Sequence, residues 1–100
     1  MVEIIWTESA LQDLNEIAEY IAIENIIAAE QLVDTVFKKV ERLEQFPDSG
    51  RTPPELPHLS YREVIVSPCR IFYKQNNEQA FILFVMREER DLRKFILSKQ

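Results

Sequence analysis

The run from Phe81 to Met86 contains no polar side chain, and together with Ala80 it is the longest uninterrupted apolar stretch of the sequence. Six residues are too few for a buried helix and are typical of a strand that is covered on both faces. We therefore predict a central strand here, and the rest of the chain has to supply its neighbours. Regular alternation would place two sets of side chains on opposite faces: Phe81, Leu83 and Val85 on one, Ile82, Phe84 and Met86 on the other.

Three shorter runs, at residues 2–6, 61–66 and 69–74, are rich in β-branched and aromatic residues. This composition is typical of strands that pair beside a central one. Short turns at Ser67-Pro68 and at residues 75–78 predict that the last three strands form an antiparallel meander. The first strand then pairs with the free side of the last strand, which places Phe81 to Met86 in the interior of a four-stranded, mainly antiparallel sheet.

Two amphipathic helices are predicted between the first strand and the meander, because apolar residues recur there at helical spacing. The first begins at Thr7 or Ser9, and Ser9 with Gln12 has the spacing of a capping box. Its polar side is predicted to carry Asp13, Glu16 and Glu19.

The second helix follows Asn25, a favourable N-cap, and runs to about Gln45. Because the connector Glu24-Asn25 is so short, the two helices should form an antiparallel hairpin packed on the sheet. Near the end of the chain, Leu92 and Phe95 share one face at helical spacing, which predicts a short C-terminal helix. The overall prediction is an α+β fold with the element order β-αα-βββ and a terminal helix.

The length of 100 residues predicts a single domain, residues 1–100. The lone cysteine, Cys69, excludes an internal disulfide, and no segment is long and apolar enough to span a membrane. The first residues lack the basic and apolar regions of a secretion signal. These features predict a cytoplasmic protein without a membrane partner.

The net charge of −5 is distributed unevenly along the chain. Residues 1–50 carry 3 Lys or Arg against 11 Asp or Glu, whereas residues 51–100 carry 9 against 6. The helical half is therefore acidic and the sheet half is basic. Overall acidity argues against non-specific coating of nucleic acid, because that affinity comes from releasing counterions at phosphates.

The chain resembles the RelE/ParE superfamily of toxins from type II toxin-antitoxin modules, and the similarity extends over nearly its whole length. Gly50-Arg51, then Pro54-Glu55-Leu56, and Tyr61-Arg62-Glu63-Val64 make it more similar to the ParE branch than to RelE. The other matching residues are Ala10, Asp13, Leu14, Ile17, Tyr20, Ile21, Ala28, Ala29, Leu43, Pro47, Arg70, Ile71, Tyr73 and the segment 87–91.

The resemblance implies a toxin that a cognate antitoxin holds inactive. ParE-like members inhibit DNA gyrase and cause growth arrest, and their modules are associated with plasmid stabilisation. A ParE-like protein would need no cofactor and no metal, and would meet operator DNA only through its antitoxin. RelE-like members instead cleave messenger RNA on the ribosome, which is the alternative. A third possibility is an inactive relative that only binds an antitoxin.

The segment after the central strand is the predicted target contact, through Arg87, Arg90 and Arg93. The predicted antitoxin surface combines one face of the central strand with the terminal helix. Displacing this helix should cost little free energy, because a terminal segment has few neighbours. Its residues are Ile82, Phe84, Met86, Leu92 and Phe95.

The nuclease alternative would depend on Arg62, Arg70 and Arg87 to hold a phosphate, and on Glu63 or Glu88 as the base. The only histidine, His58, lies in the proline-rich loop, and a single histidine does not make a zinc site. Arg62 and Arg70 have an alternative interpretation, since both can line a solvated sheet face or pair with Glu55 or Glu63.

Overall fold

Four strands form one sheet: β1 (Glu3–Trp6), β2 (Arg62–Val66), β3 (Cys69–Gln75) and β4 (Gln79–Arg87). The computed structural model describes residues 1–99. Across the sheet the order is β1-β4-β3-β2; β1 runs parallel to β4, and the other two pairs are antiparallel. The predicted topology is confirmed, and the apolar run lies in an interior strand with a neighbour on each side.

The helical hairpin consists of α1 (Glu8–Ala22) and α2 (Ile26–Glu41), and α3 (Leu92–Ser98) follows the sheet. The second predicted helix is therefore shorter than expected, because Arg42–Glu44 forms a 3-10 turn. Asn25 caps α2 as predicted, accepting a hydrogen bond from the Ala28 N–H at 3.0 Å.

The predicted capping box of Ser9 and Gln12 is wrong, because Ser9 lies inside α1. Thr7 is the N-cap, and its hydroxyl oxygen accepts from the Ala10 N–H at 3.2 Å. The same hydroxyl donates to the Ile82 carbonyl at 2.7 Å. This second bond ties the start of α1 to β4, which Ser9 cannot do from within the helix.

The sheet has an apolar core on each face. The helical hairpin covers one face, where the core includes Leu14, Val36, Val40, Ile71, Tyr73 and Val85. On the other face, Leu92 and Phe95 of α3 pack on Phe72, Phe84 and Met86 of the sheet. Leu56 of the proline-rich loop packs against this smaller cluster. The terminal helix therefore forms the second layer on this face.

A β-bulge interrupts β4, and it corrects the predicted faces of the central strand. Phe72 pairs with Phe84 but the next residue, Tyr73, pairs with Ile82, so Leu83 is the extra residue. The bulge turns Ile82 and Val85 toward the helical hairpin, while Phe84 and Met86 face α3. The prediction that Ile82 shares a face with Phe84 and Met86 is therefore wrong, because strict alternation fails at Leu83.

Gly50 packs directly against the side chain of Tyr73 in β3. Its N–H donates to the Tyr73 hydroxyl at 3.0 Å, and that hydroxyl donates to the Pro47 carbonyl at 2.6 Å. A Cβ at position 50 would lie 2.5 Å from the Tyr73 oxygen and 2.9 Å from the Glu63 carbonyl. Tyr73 is fully buried, so it has no free space into which to move.

Gly50→Ala is expected to lower the free energy of unfolding by about 1–3 kcal/mol, as overpacking of a filled site does. Urea denaturation followed by circular dichroism measures the change. The control is Ser49→Ala at the exposed neighbouring position. Equal stability of the two variants would contradict the close packing at Gly50.

Candidate functional site

Arg70 is a buried cation enclosed by two carboxylates. Its Nε donates to Glu63 Oε1 at 2.7 Å, and its Nη1 and Nη2 donate to the Glu55 oxygens at 2.7 and 2.9 Å. Glu63 also accepts from Arg51 Nε at 2.8 Å. The side chain of Arg70 is 8% exposed and that of Glu63 is 0% exposed. Of the alternatives for Arg70, the structure shows pairing with Glu55 and Glu63.

The pairing changes the acid–base behaviour of the network. Hydrogen bonds from Arg70 lower the pKa of Glu55 from 4.5 to about 2, against the opposing effect of partial burial. The same two carboxylates raise the pKa of Arg70 further above its usual value. Glu55 and Arg70 therefore stay ionised at neutral pH, and the Arg70 guanidinium is occupied by protein carboxylates.

The depressed pKa of Glu55 makes folding stability sensitive to acid. A carboxyl whose pKa is lower in the folded state contributes stability that is fully present above the ordinary pKa near 4.5 and is lost as the pH falls toward 2. Between pH 5 and pH 2, the wild type should therefore lose more stability than Glu55→Gln. Urea denaturation at each pH measures this, with Glu41→Gln on exposed α2 as the control. Parallel curves for wild type and Glu55→Gln would disprove the assignment.

Arg62 lies at the opposite end of the sheet from Arg87. Arg62 pairs across the strands with Tyr73, whereas Arg87 pairs with Cys69 at the other end of β3. The Arg62 guanidinium donates to the Gly50 carbonyl at 2.8 Å. The three arginines of the nuclease alternative are thus not brought together.

A cleft of about 230 Å³ lies where the end of β4 meets α1 and α3. Arg87 and Arg90 line it with two aromatic residues: Arg87 lies over the Tyr20 ring at 5.2 Å, and Arg90 lies over the Phe95 ring at 5.1 Å. Arg93 is exposed on α3 and does not line this cleft. Two of the three predicted target-binding arginines therefore share one site.

The Arg87 side chain is only partly engaged by the protein. Its Nε lies 2.7 Å from a Glu89 carboxylate oxygen, but the alignment does not make a hydrogen bond within the described residues. Glu88 instead accepts from the Ser67 hydroxyl at 2.9 Å. Besides the ion pair of Arg87 with Glu89, Arg87 lies over the Tyr20 ring and Arg90 lies over the Phe95 ring, so both guanidinium groups are positioned at the cleft.

Asp13 is a buried structural residue. The prediction that it lies on the polar side of α1 is wrong, because it is 6% exposed. One carboxylate oxygen accepts from the Val85 N–H at 3.1 Å, and the other contacts the Lys99 ammonium. Asp13 thus joins α1 to β4 and fastens α3. Its spacing carried a signal, because it lies three residues after Ala10 and four before Ile17, both on the apolar side.

The predicted antitoxin residues are largely closed off in this structure. Met86, Leu92 and Phe95 are 1–4% exposed because α3 packs on the sheet. Ile82 is 0% exposed and belongs to the core under the helical hairpin, which corrects its place in the set. Antitoxin contact with Phe84, Met86, Leu92 and Phe95 stays a prediction, and it requires α3 to leave the sheet.

Two further properties concern residues 1–99 only. No group of three or more His, Cys, Asp or Glu in that range has the arrangement of a metal site. No helix in it has the length and apolarity needed to cross a bilayer.

Burial raises the pKa of the Cys69 thiol to about 11, so it is neutral and unreactive at pH 7.

The fold is that of a small α+β protein in which a helical hairpin packs on a four-stranded sheet and two arginines line a cleft at the end of β4. A family model described as ParE toxin of type II toxin-antitoxin system, parDE, matches residues 4–92. The chain therefore belongs to the ParE toxin family, as the sequence resemblance predicted.

Structural comparison agrees with this family. The structure described as "Chromosomal ParDE TA system from P. aeruginosa" is 24% identical in sequence and superposes with a TM-score of 0.71. The match covers 87% of this chain and 96% of that chain. It shows a shared fold. A comparison with curated protein sequences gave no match.

Proposed function

We propose that this protein inhibits DNA gyrase and that a cognate antitoxin neutralises it. The proposal rests on one observation, which is that the arginines of this protein lie in two kinds of surroundings. Arg70 is enclosed by carboxylates and Arg62 is bonded to the backbone at Gly50, whereas Arg87 and Arg90 border an accessible cleft. This arrangement suits an inhibitor that acts by surface contact and performs no chemistry of its own.

The same arrangement argues against messenger RNA cleavage, which is the alternative function. Cleavage by a ribose 2′-hydroxyl needs a base beside a cation that holds the phosphate. Glu63 is buried between Arg51 and Arg70, so a substrate hydroxyl has no access to it. Glu88 is exposed to solvent and already accepts a hydrogen bond from the Ser67 hydroxyl. Neither carboxylate suits the role of general base.

The target contact is proposed at Arg87 and Arg90, with Arg93 as an outlying cation on α3. Arginines stacked on Tyr20 and Phe95 are pre-organised, so less side-chain entropy is lost when a partner accepts their hydrogen bonds. Aromatic and arginine side chains are also the residue types that dominate binding energy in protein interfaces. These properties support a protein target at the cleft.

The proposed partners are a cognate antitoxin and gyrase, both in the cytoplasm. The structural relative is described as a ParDE toxin-antitoxin system, which supports an antitoxin partner for this chain. The net charge of −5 disfavours direct binding to operator DNA, so any such contact is proposed to pass through the antitoxin.

Incubation of the purified protein with gyrase, relaxed plasmid and ATP tests the function. Loss of supercoiling with accumulation of cleaved plasmid is expected. Full supercoiling at a large excess of folded protein would reject gyrase as the target. Translation-dependent cuts in a reporter messenger would establish the nuclease instead, and a blank result in both assays would identify an inactive relative.

A further inference from the structure

The C-terminal end of α3 is fastened to α1 by one ion pair. Lys99 directly follows the last residue of α3, and its ammonium contacts the carboxylate of Asp13 in α1. The same ammonium lies 3.4 Å from the Ser9 hydroxyl. The side chain of Lys99 is 26% exposed and that of Asp13 is 6% exposed. Water therefore screens this ion pair less than it screens a pair on the open surface.

Asp13 lines the cleft at the end of β4, but its two carboxylate oxygens are already used. One accepts from the Val85 N–H at 3.1 Å, and the other contacts Lys99. Val85 belongs to β4, as Arg87 does, so Asp13 holds the strand and the end of α3 in one arrangement. Because its side chain is buried, Asp13 can affect a partner in the cleft only through these neighbours.

The Phe95 ring of α3 connects the ion pair to the cleft. Lys99 Nζ lies 5.1 Å from the centre of this ring, and Arg90 Cζ also lies 5.1 Å from it. The ring meets Phe84 of β4 edge-on, with ring centres 6.1 Å apart. Both Phe95 and Arg90 line the cleft. The place of the Arg90 guanidinium therefore depends on where α3 holds this ring.

The position of α3 has little other support. The helix has seven residues, of which Leu92 and Phe95 are buried. A helix of this length is not stable in water on its own, so packing and the ion pair have to hold it. Loss of the ion pair leaves the packing of the two apolar side chains intact. We expect α3 to stay on the sheet in that case, but in a less defined position.

We propose that the ion pair of Asp13 and Lys99 positions Arg90 for binding the target protein. This inference rests on the target contact at Arg87 and Arg90 in the proposed function. The two arginines make the contact, whereas Asp13 and Lys99 are positioning residues that act through α3. The ion pair thus sets how strongly the cleft binds its target.

Two lysines of the C-terminal segment provide a matched test. Lys99→Met removes the charge and keeps the length of the side chain, and Lys94→Met at an exposed position of α3 is the control of equal charge change. Lys99→Met should raise the toxin concentration for half-inhibition of gyrase about fivefold, within the range of coupling between residues in contact. Lys94→Met should change it by less than about twofold, as exposed positions usually do. Equal potency of the two variants would overturn the proposal.

Conservative variants test whether the charges are what matters. Lys99→Arg keeps a cation beside Asp13 and should retain most of the inhibition. Asp13→Asn keeps an oxygen for the Val85 N–H and removes the charge opposite Lys99. Its loss of potency should match that of Lys99→Met, and the two losses should not add when both changes are combined. Wild-type potency of Asp13→Asn, or full addition of the two losses, would overturn the proposal.

A double-mutant cycle with Arg90 distinguishes positioning from general stabilisation of the fold. If Lys99 acts through Arg90, Lys99→Met should cost little further potency in a protein that already carries Arg90→Ala. A purely structural effect is independent of Arg90, so it would cause the same fold loss in both backgrounds. Equal losses in the two backgrounds would therefore reject the positioning role.

Hydrogen exchange of the free, full-length protein separates this inference from the identity of the target. The amides of α3 should exchange faster in Lys99→Met than in the wild type or in Lys94→Met, because α3 then opens more often. Unchanged exchange in α3 would overturn the proposal whichever protein is the target. If the wild type leaves gyrase active, the gyrase proposal fails, while the exchange rates still decide whether the ion pair holds α3.

Discussion

Arg70→Ala is expected to lower the free energy of unfolding by about 3–5 kcal/mol, because it leaves the Glu63 carboxylate buried without its closest cation. This loss is a large fraction of the total stability of about 5–15 kcal/mol that native proteins have. The variant should therefore melt at a clearly lower temperature than the wild type. Urea denaturation at pH 7 measures the effect, and Arg93→Ala on the exposed surface of α3 is the control.

A double variant separates the cost of leaving buried Glu63 with Arg51 as its one remaining cation from the value of the Arg70–Glu63 ion pair. Arg70→Met combined with Glu63→Leu removes both buried charges and keeps apolar volume. It should be more stable than Arg70→Ala, since Arg51 and Glu55 remain partly solvated at 58% and 36% side-chain exposure. If Arg70→Ala unfolds at the same urea concentration as Arg93→Ala, the buried network contributes nothing.

The variant Arg87→Ala with Arg90→Ala is expected to relieve growth arrest and to raise the toxin concentration for half-inhibition of gyrase at least tenfold. Both side chains border the cleft at the end of β4; Arg87 lies over the exposed Tyr20 ring, and Arg90 lies over the buried Phe95 ring. Truncation at a site of this kind commonly costs more than 1 kcal/mol of binding per residue. The supercoiling assay and growth after induction measure the two effects.

Lys38→Ala with Lys39→Ala is the control of equal charge loss, placed near the end of α2. The melting temperature of the arginine variant should stay within a few degrees of the wild type. Unaltered growth arrest in cells that express the arginine variant at wild-type levels would remove the target contact from this cleft.

The sequence predicted the order of the elements because each carries a local signal. The apolar run at residues 80–86 required a neighbour on both sides, and short turns fixed the meander around it. Asn25 marked the start of α2 because capping depends on adjacent residues only. These features are encoded within a few positions of the sequence.

The errors concern contacts between distant positions. Leu83 has the same apolar character as its neighbours, so nothing in the sequence distinguishes the bulge. Asp13 bonds to Val85 and Lys99, which lie 72 and 86 positions away in the sequence. For Arg70 the sequence left a target contact and pairing with Glu55 or Glu63 both open, and only the folded chain shows that it is paired. Candidate cations in a sequence are therefore divided into structural and accessible ones by the fold alone.

The pairing of β1 with β4 has a consequence for the synthesis of this toxin. β1 emerges from the ribosome first, yet its partner at residues 79–82 is translated after every other strand. A prematurely terminated product would lack both the middle of the sheet and the arginines that follow it. Aborted translation would thus release fragments that cannot complete the sheet, and only a message read almost to its end yields a chain that can fold.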